Sequence, residues 1–388
     1  MSGAAGPQEV VAAIVRALGG RQRAALHQPE FAGNEWAYVK ECLDTGWVSS
    51  VGAFVDRFER DLAAFTGSPF AVVTVNGTAA LHVALLLAGV VPGDEVLIPS
   101  ITFVATANAV AYCGAVPHFA DSEERTLGID AARLAAHLAE IADVAGGVCR
   151  NRITGRPIRA LVPMHVFGHP CEMAALRAVC AAVGLALVED AAEALGSTCG
   201  GRHVGTDGNL ATLSFNGNKV LTTGGGGAIL TGDPDLARRA KHLTTTAKQP
   251  HRWEFIHDEV GFNYRLPNLN AALGCAQLEA LPGMLARKRA LAGRYAEAFV
   301  GVPGVTVLAE PPGCRSNFWL NTLVLAADGA ARRDEILAAT NDLGLQTRPV
   351  WTPMHRLGMY RDCPRMDLAT AEALAGRLIS LPSSACLA

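Results

Sequence analysis

The 388-residue chain predicts an α/β fold, with a large lobe built on a mostly parallel sheet and a smaller C-terminal α/β lobe. Short β-branched, apolar runs alternate with helical stretches through much of the chain, which is the pattern of βα repetition. Most of these runs are apolar along their whole length, as strands covered on both faces are. With 50% hydrophobic and 18% charged residues, the chain has apolar surface for one large core and a smaller second one.

The elements follow in order. Glu9 to Leu18 reads as a short amphipathic helix within an N-terminal extension of residues 1–33. A large lobe is expected over residues 34–282. Asn34 to Leu43 and Ala53 to Ala64 have helical periodicity, Phe70 to Val75 reads as a strand, and a helix follows over Ala79 to Ala88. Glu95 to Ile98 is a strand, Ala105 to Tyr112 a helix, Val116 to Phe119 a strand and Ala131 to Ala142 a helix. Ile158 to Met164, Leu185 to Val188, Ala211 to Phe215 and Gly227 to Leu230 supply further strands, with a helix over Glu172 to Ala182. The turns before and between them carry Val91-Pro92-Gly93-Asp94 and Gly200-Gly201. Asp235 to Leu243 returns to helix, and Gln249 to Gly261 reads as a polar, aromatic loop. Asn268 to Leu278 and Leu285 to Phe299 read as two helices joined through Pro282-Gly283, the second leading into a small lobe over residues 283–388. There Phe318 to Leu325 is strand-like, Arg332 to Asn341 helical and Thr347 to Pro353 extended, with Gly301-Val302-Pro303-Gly304 as a hinge or boundary.

Composition excludes several classes. A net charge of -3 and a pI near 6.4 give no general attraction to nucleic acid or anionic lipid, so neither partner is expected. Leu81 to Val91 is apolar but too short to span a bilayer, and the N-terminal helix lacks a basic leader and a long apolar core. Ten cysteines, scattered without a CxxC pair, read as buried small hydrophobes of a reducing compartment. A cytoplasmic location is therefore expected.

Chemistry centres on Lys219. It stands in Ser214-Phe215-Asn216-Gly217-Asn218-Lys219, after a strand and before Thr222, Thr223 and the glycines Gly224 to Gly227. A lysine amine needs an activating environment to serve as a nucleophile at neutral pH. Asp190 ends an apolar strand, and if buried there it needs a cationic partner, although it also has an ordinary role as a helix cap at Ala191. Gly77, Thr78 and Ala79 form a turn before a helix, where backbone amides suit a phosphate, and Ser214 offers a hydroxyl. Each signal has a structural reading when taken alone. An acid for a ring nitrogen, a lysine for an aldehyde and a helix start for a phosphate together fit pyridoxal 5'-phosphate, with Phe103 as an aromatic cover on the ring.

Five motifs then carry a family resemblance. Asn76-Gly77-Thr78-Ala79-Ala80-Leu81, Pro99-Ser100-Ile101-Thr102-Phe103-Val104-Ala105-Thr106-Ala107-Asn108, Glu189-Asp190-Ala191-Ala192, the Lys219 segment and Gly261-Phe262-Asn263-Tyr264-Arg265 resemble the DegT/DnrJ/EryC1/StrS sugar aminotransferases. They recur in family order from about residue 30 to the C-terminus. The resemblance implies a fold-type I pyridoxal-phosphate enzyme, a homodimer with shared active sites, L-glutamate as amino donor and a nucleotide-linked keto sugar as acceptor. By the same matching, Lys219 would bind the cofactor covalently and shuttle protons, and Asp190 would pair with the ring nitrogen. Phe103 would cover the ring, Thr78, Ala79 and Ser214 would hold the phosphate, and Asn263 would reach the cofactor of the neighbouring subunit. Glu193 departs from members with glutamine at this place, where the side chain is expected near the ring hydroxyl. Asn216-Gly217-Asn218-Lys219 with the glycine run, His257 to Gly261 and Arg265 to Asn270 is most similar to aminotransferases of legionaminic-acid and bacillosamine-type pathways. That likeness implies a UDP-linked 2-acetamido-2,6-dideoxy-4-keto-hexose and its 4-amino product.

His165, Arg252, Trp253, His257, Arg348 and His355 are further substrate-binding candidates, since arginine can meet a diphosphate and tryptophan can pack on sugar or base. Each also reads as a loop ion pair, hydrogen bond or core residue. Their spacing lacks the local pairing of a compact metal site, so no metal is expected. Transamination of a 3-keto sugar or cyclitol is an alternative. A dehydratase of the same fold would replace Lys219 by histidine, and a non-catalytic regulatory or scaffold protein would have no use for the lysine and acid pair.

Overall fold

The computed structural model describes residues 5–388, so the first four residues of the expected N-terminal extension lie outside the described residues. Seven strands form the central sheet: β1 Phe70–Thr74, β2 Glu95–Pro99, β3 Val116–Ala120, β4 Ile158–Leu161, β5 Ala186–Asp190, β6 Leu210–Ser214 and β7 Gly227–Thr231. Their spatial order is β1-β7-β6-β5-β4-β2-β3. Strands β6, β5, β4, β2 and β3 pair in parallel, and only β7 runs antiparallel, to β6 on one side and β1 on the other. The sheet is therefore mostly parallel, as the continuous apolar runs require.

Strand periodicity divides the core into two faces. In β1, Val72 packs into one apolar cluster while Ala71 and Val73 join the other; in β7, Ile229 faces the first cluster, Ala228 and Leu230 the second. Helices Gly77–Leu87, Val104–Tyr112, Ala131–Ile141 and Met173–Val183 contribute to the first face. Helix Ala53–Thr66 and the start of Asn268–Ala298 contribute to the second. Crossover helices on both faces leave the C-terminal ends of the parallel strands open, where loops can build a site.

Several expectations are corrected. The two helices joined at Pro282-Gly283 are one 31-residue helix, Asn268–Ala298. Pro282 and Gly283 face solvent while Leu281 and Met284 are buried, so packing on either side carries the helix past the one hydrogen bond that proline removes. The expected lobe division after residue 282 thus falls inside a helix. Phe318 to Leu325 forms a strand only over β9 Thr322–Leu325, because Phe318 has φ 48° and breaks the extended run. A hairpin of Ala142–Ala145 and Val148–Asn151 follows the helix at Ala131–Ile141, where no strand pair was expected.

The small lobe holds an antiparallel sheet in the order β8-β9-β11-β10, with β8 Val305–Val307, β10 Arg348–Pro349 and β11 Leu378–Ser380. Helix Pro7–Ala17 packs Val10, Ala13, Ile14 and Ala17 against Leu291, Tyr295, Leu323 and Ile336, so the N-terminal segment completes this lobe's core. Cys199 and Cys314, 115 residues apart, form a disulfide between the paired short strands Thr198–Cys199 and Cys314–Arg315. Six of the remaining cysteines are buried, whereas Cys363 is half-buried and Cys386 exposed, so the reading of all ten as buried thiols is corrected at four positions. Among the described residues, no helix is long and apolar enough to cross a membrane.

Candidate active site

A cavity of about 340 Å³ opens at the C-terminal edge of the parallel strands. Strand β5 delivers Asp190 and, one turn later, Glu193; β6 delivers Ser214 and leads to Lys219; the helix after β1 supplies Gly77 and Thr78. Phe103 and Thr106 come from the segment after β2, and Trp319 and Trp351 enter from the small lobe.

The turn at Gly77 is closely packed. Asn76 caps the helix Gly77–Leu87, its side chain accepting the Ala79 N–H at 2.7 Å. A Cβ on Gly77 would lie 2.9 Å from Ser214 Cβ, and one on Gly227 would lie 2.6 Å from the Asn76-Gly77 peptide. Two glycines thus let β6, β7 and the helix start converge. Gly77, Thr78 and Ser214 line the cavity here, beside the helix terminus whose first amides have no intrahelical acceptor. Ala79 is buried outside the lining, with its N–H already given to Asn76.

Asp190 is 5% exposed. Its Oδ2 accepts the Thr106 hydroxyl at 2.8 Å and its Oδ1 the Ala192 N–H at 3.1 Å. Among the described residues it has no ion-pair partner, and burial pushes its carboxyl above the ordinary range. A carboxylate held in this way beside an open cavity fits a cation placed in the cavity, such as a protonated ring nitrogen.

Glu193 is also buried, and burial makes its ionisation harder. Its Oε2 accepts the Phe167 N–H at 2.9 Å and its Oε1 the Lys219 amine at 3.1 Å. Burial nonetheless outweighs the attraction of Lys219 and pushes the carboxyl up to about 7. The Lys219 amine also lies 3.9 Å from the Trp319 ring centroid. These residues fit pyridoxal phosphate: an amine in the cavity, an uncompensated acid at its floor and a hydroxyl-lined helix start. Phe103, 49% exposed, stands at the rim 6.3 Å from the Trp351 ring.

Other expected residues lie elsewhere. His165 is wholly buried behind the site, with Nε2 at 3.1 Å from Glu189 and Nδ1 accepting the Cys171 N–H. In that pattern Nδ1 is the acceptor and Nε2 the donor, toward Glu189. Glu189 is pushed up by burial, but the His165 bond and the Gly205 and Gly208 amides outweigh this and hold it below its ordinary range. His355 bridges Ser100 and Glu372 away from the cavity. Arg252 stacks on Trp253 in an exposed segment, and His257 bonds the Thr246 carbonyl there. Asn263 is exposed, outside the cavity, on a bridge to Thr245. Arg348 lines an adjoining space of about 550 Å³, which shares Asn218, Trp319 and Trp351 with the first.

Sequence reasoning missed Trp319, Trp351 and the role of Thr106. Phe318-Trp319 reads as the start of a strand, and the left-handed Phe318 breaks that run just before Trp319, whose ring meets Lys219. Among the described residues, His242, Asp258 and Glu259 bring ligand atoms within 4.8 Å of one another, but Arg239 already pairs with Glu259.

Comparison with known proteins supplies the family. Residues 29–388 match the DegT/DnrJ/EryC1/StrS aminotransferase family. The chain is 39% identical to GDP-perosamine synthase of Caulobacter vibrioides over 94% of both chains, and 36% identical to that of Escherichia coli O157:H7 over 92% of both. Neither carries the legionaminic-acid or bacillosamine assignment that the motifs implied. The crystal structure of the aminotransferase TlmJ from Streptoalloteichus hindustanus superposes with a TM-score of 0.84 at 31% identity, covering 94% of this chain and 95% of that one. The architecture is that of fold-type I pyridoxal-phosphate enzymes, and the chain belongs to the DegT/DnrJ/EryC1/StrS family as a pyridoxal-phosphate-dependent aminotransferase.

Proposed function

We propose that the protein transfers an amino group from L-glutamate to a nucleotide-linked 4-keto-6-deoxy sugar, giving the 4-amino sugar. The observation that carries this reading is the shared cavity of Lys219 and Asp190 at the open edge of the sheet. The cofactor, when bound, supplies an aldehyde that takes up the amino group and a ring that withdraws electrons from the reacting carbon. Lys219 binds it and afterwards moves a proton as base and acid, first for the donor and then for the acceptor. Asp190, aimed by Thr106, keeps the ring nitrogen protonated. Gly77, Thr78 and Ser214 hold the phosphate, with Ala79 shaping the turn behind them, and Glu193 meets the ring hydroxyl.

The two GDP-perosamine synthases favour a GDP-linked acceptor. A UDP-linked 2-acetamido-2,6-dideoxy-4-keto-hexose is the second reading, supported by the Asn216 to Gly227 and His257 to Asn270 motifs. In either case the nucleotide extends into the adjoining space at Arg348. We also infer a homodimer in which Asn263 and the exposed Arg252 to His257 segment serve the neighbouring subunit's site, since they lie outside this chain's own cavity. The division into residues 1–33, 34–282 and 283–388 belongs to the same proposal, with the long helix as connector.

The test is incubation of purified protein with pyridoxal phosphate, L-glutamate and GDP-, UDP- and dTDP-linked 4-keto-6-deoxy sugars. Mass detection of one amino-sugar product with equimolar 2-oxoglutarate is expected. Absence of both with every sugar contradicts the proposal.

A further inference from the structure

Lys219 is held by one contact from each lobe. Its amine donates to Glu193 Oε1 at 3.1 Å and sits 3.9 Å from the Trp319 ring centroid. Glu193 follows β5 in the large lobe, whereas Trp319 precedes β9 in the small one. A carboxylate and an indole face are two different ways to stabilise one ammonium, and here they converge on the same nitrogen.

Both contacts are fixed without help from the lysine. Glu193 Oε2 is occupied by the Phe167 N–H at 2.9 Å, which aims Oε1 into the cavity. Trp319 Nε1 donates to the Asn218 carbonyl at 2.7 Å, and its backbone N–H donates to Asn317 Oδ1 at 2.8 Å. Asn317 joins the two halves, because its side-chain amide donates to the Glu193 carbonyl at 2.8 Å and the Leu195 carbonyl at 2.9 Å. A third support comes from the long helix, where buried Lys288 donates to the Trp319 carbonyl at 3.2 Å. The carboxylate and the indole therefore have a common, preformed framework.

We propose that Glu193 and Trp319 form a resting site for the Lys219 amine when it is not bonded to the cofactor. The function of this site rests on the transaminase reading above. Lysine must leave the cofactor in each half-reaction, stay close and keep a defined proton, and its long side chain would otherwise spread over many rotamers. Glu193 and Trp319 act as positioning residues. Trp319 also couples the lysine to the placement of the small lobe, since displacement of that lobe would withdraw one of the two contacts.

The test uses protein free of cofactor at pH 8. Brief acetylation with isotopically labelled acetic anhydride is followed by peptide mass spectrometry, and the exposed Lys40 serves as internal standard. Relative to Lys40, Lys219 is expected to be acetylated about tenfold faster in Glu193→Gln and several-fold faster in Trp319→Leu, since each change removes a contact that holds the amine in place. Trp319→Phe, which keeps an aromatic face, should stay near the wild-type rate. Equal rates in all four proteins overturn the proposal.

A second measurement needs none of these three variants. In the wild-type protein the ring current of Trp319 should shift the Lys219 ε-methylene signal upfield, and Lys219→Arg should remove that signal. Absence of any such signal also overturns the proposal. Neither experiment uses cofactor or sugar, so a protein that passes both yet forms no amino sugar would contradict the transaminase reading alone.

Discussion

Thr106 donates its hydroxyl to Asp190 Oδ2 at 2.8 Å, so the acid at the floor of the cavity is aimed from the helix after β2 and not by its own strand alone. Thr106→Val leaves Asp190 with the Ala192 N–H and should weaken pyridoxal-phosphate binding about fivefold, the worth of about one hydrogen bond. Asp190→Asn removes the charge opposite the ring and should weaken it on the order of a hundredfold or more. Absorbance titration with the cofactor measures both. Unchanged affinity in the two variants would show that the ring does not lie against Asp190.

Gly77 should set phosphate recognition. A methyl group there would lie 2.9 Å from Ser214 Cβ, so Gly77→Ala must push β6 and the helix start apart. Pyridoxal phosphate should bind about tenfold more weakly, and Ser214→Ala about fivefold more weakly. Pyridoxal, which lacks the phosphate, should lose much less in either variant. Equal losses for the two ligands would place the phosphate elsewhere.

The sequence revealed what local pattern can carry. Asp190 and Ser214 end apolar runs, Gly77 and Lys219 follow such ends closely, and the parallel sheet brings these ends together, so their common cavity was legible in the sequence. Trp319 was not, because its flanking residues look like a strand and one left-handed residue, Phe318, overrides that pattern. Pro282 misled in the opposite direction: its ring faces solvent, and buried Leu281 and Met284 keep the helix whole. The Cys199–Cys314 pair is a contact across 115 residues, which spacing cannot report.

Lys288 should make stability depend on pH. It is buried in the long helix with carbonyls of Trp319 and Ser383 and the His27 ring as acceptors, and burial pushes its amine down to about 7. Between that value and about 10.4 the unfolded chain binds the extra proton, so stability rises with pH across this window and the gain is absent below it. Relative to Lys288→Met, which does not titrate, the wild type should gain on the order of a few kcal/mol between pH 7 and pH 10. Paired thermal melts at several pH values test this. A constant difference would mean that the amine stays charged in the folded protein.

The disulfide predicts a thiol count. Protein purified without reductant and denatured should expose eight thiols, and ten after reduction, because Cys199 and Cys314 are paired. Closing a loop of 115 residues is worth about 5 kcal/mol in the chain-entropy model, so reductant should lower Tm. Ten thiols before reduction would contradict the pairing.

We propose one amine, Lys219, as the group that holds the cofactor. Purified protein should be loaded with pyridoxal phosphate, reduced with borohydride and digested, and the modified peptide identified by mass spectrometry. A phosphopyridoxyl group is expected on Lys219, abolished in Lys219→Arg. Modification of another lysine, or labelling that persists in Lys219→Arg, would contradict it.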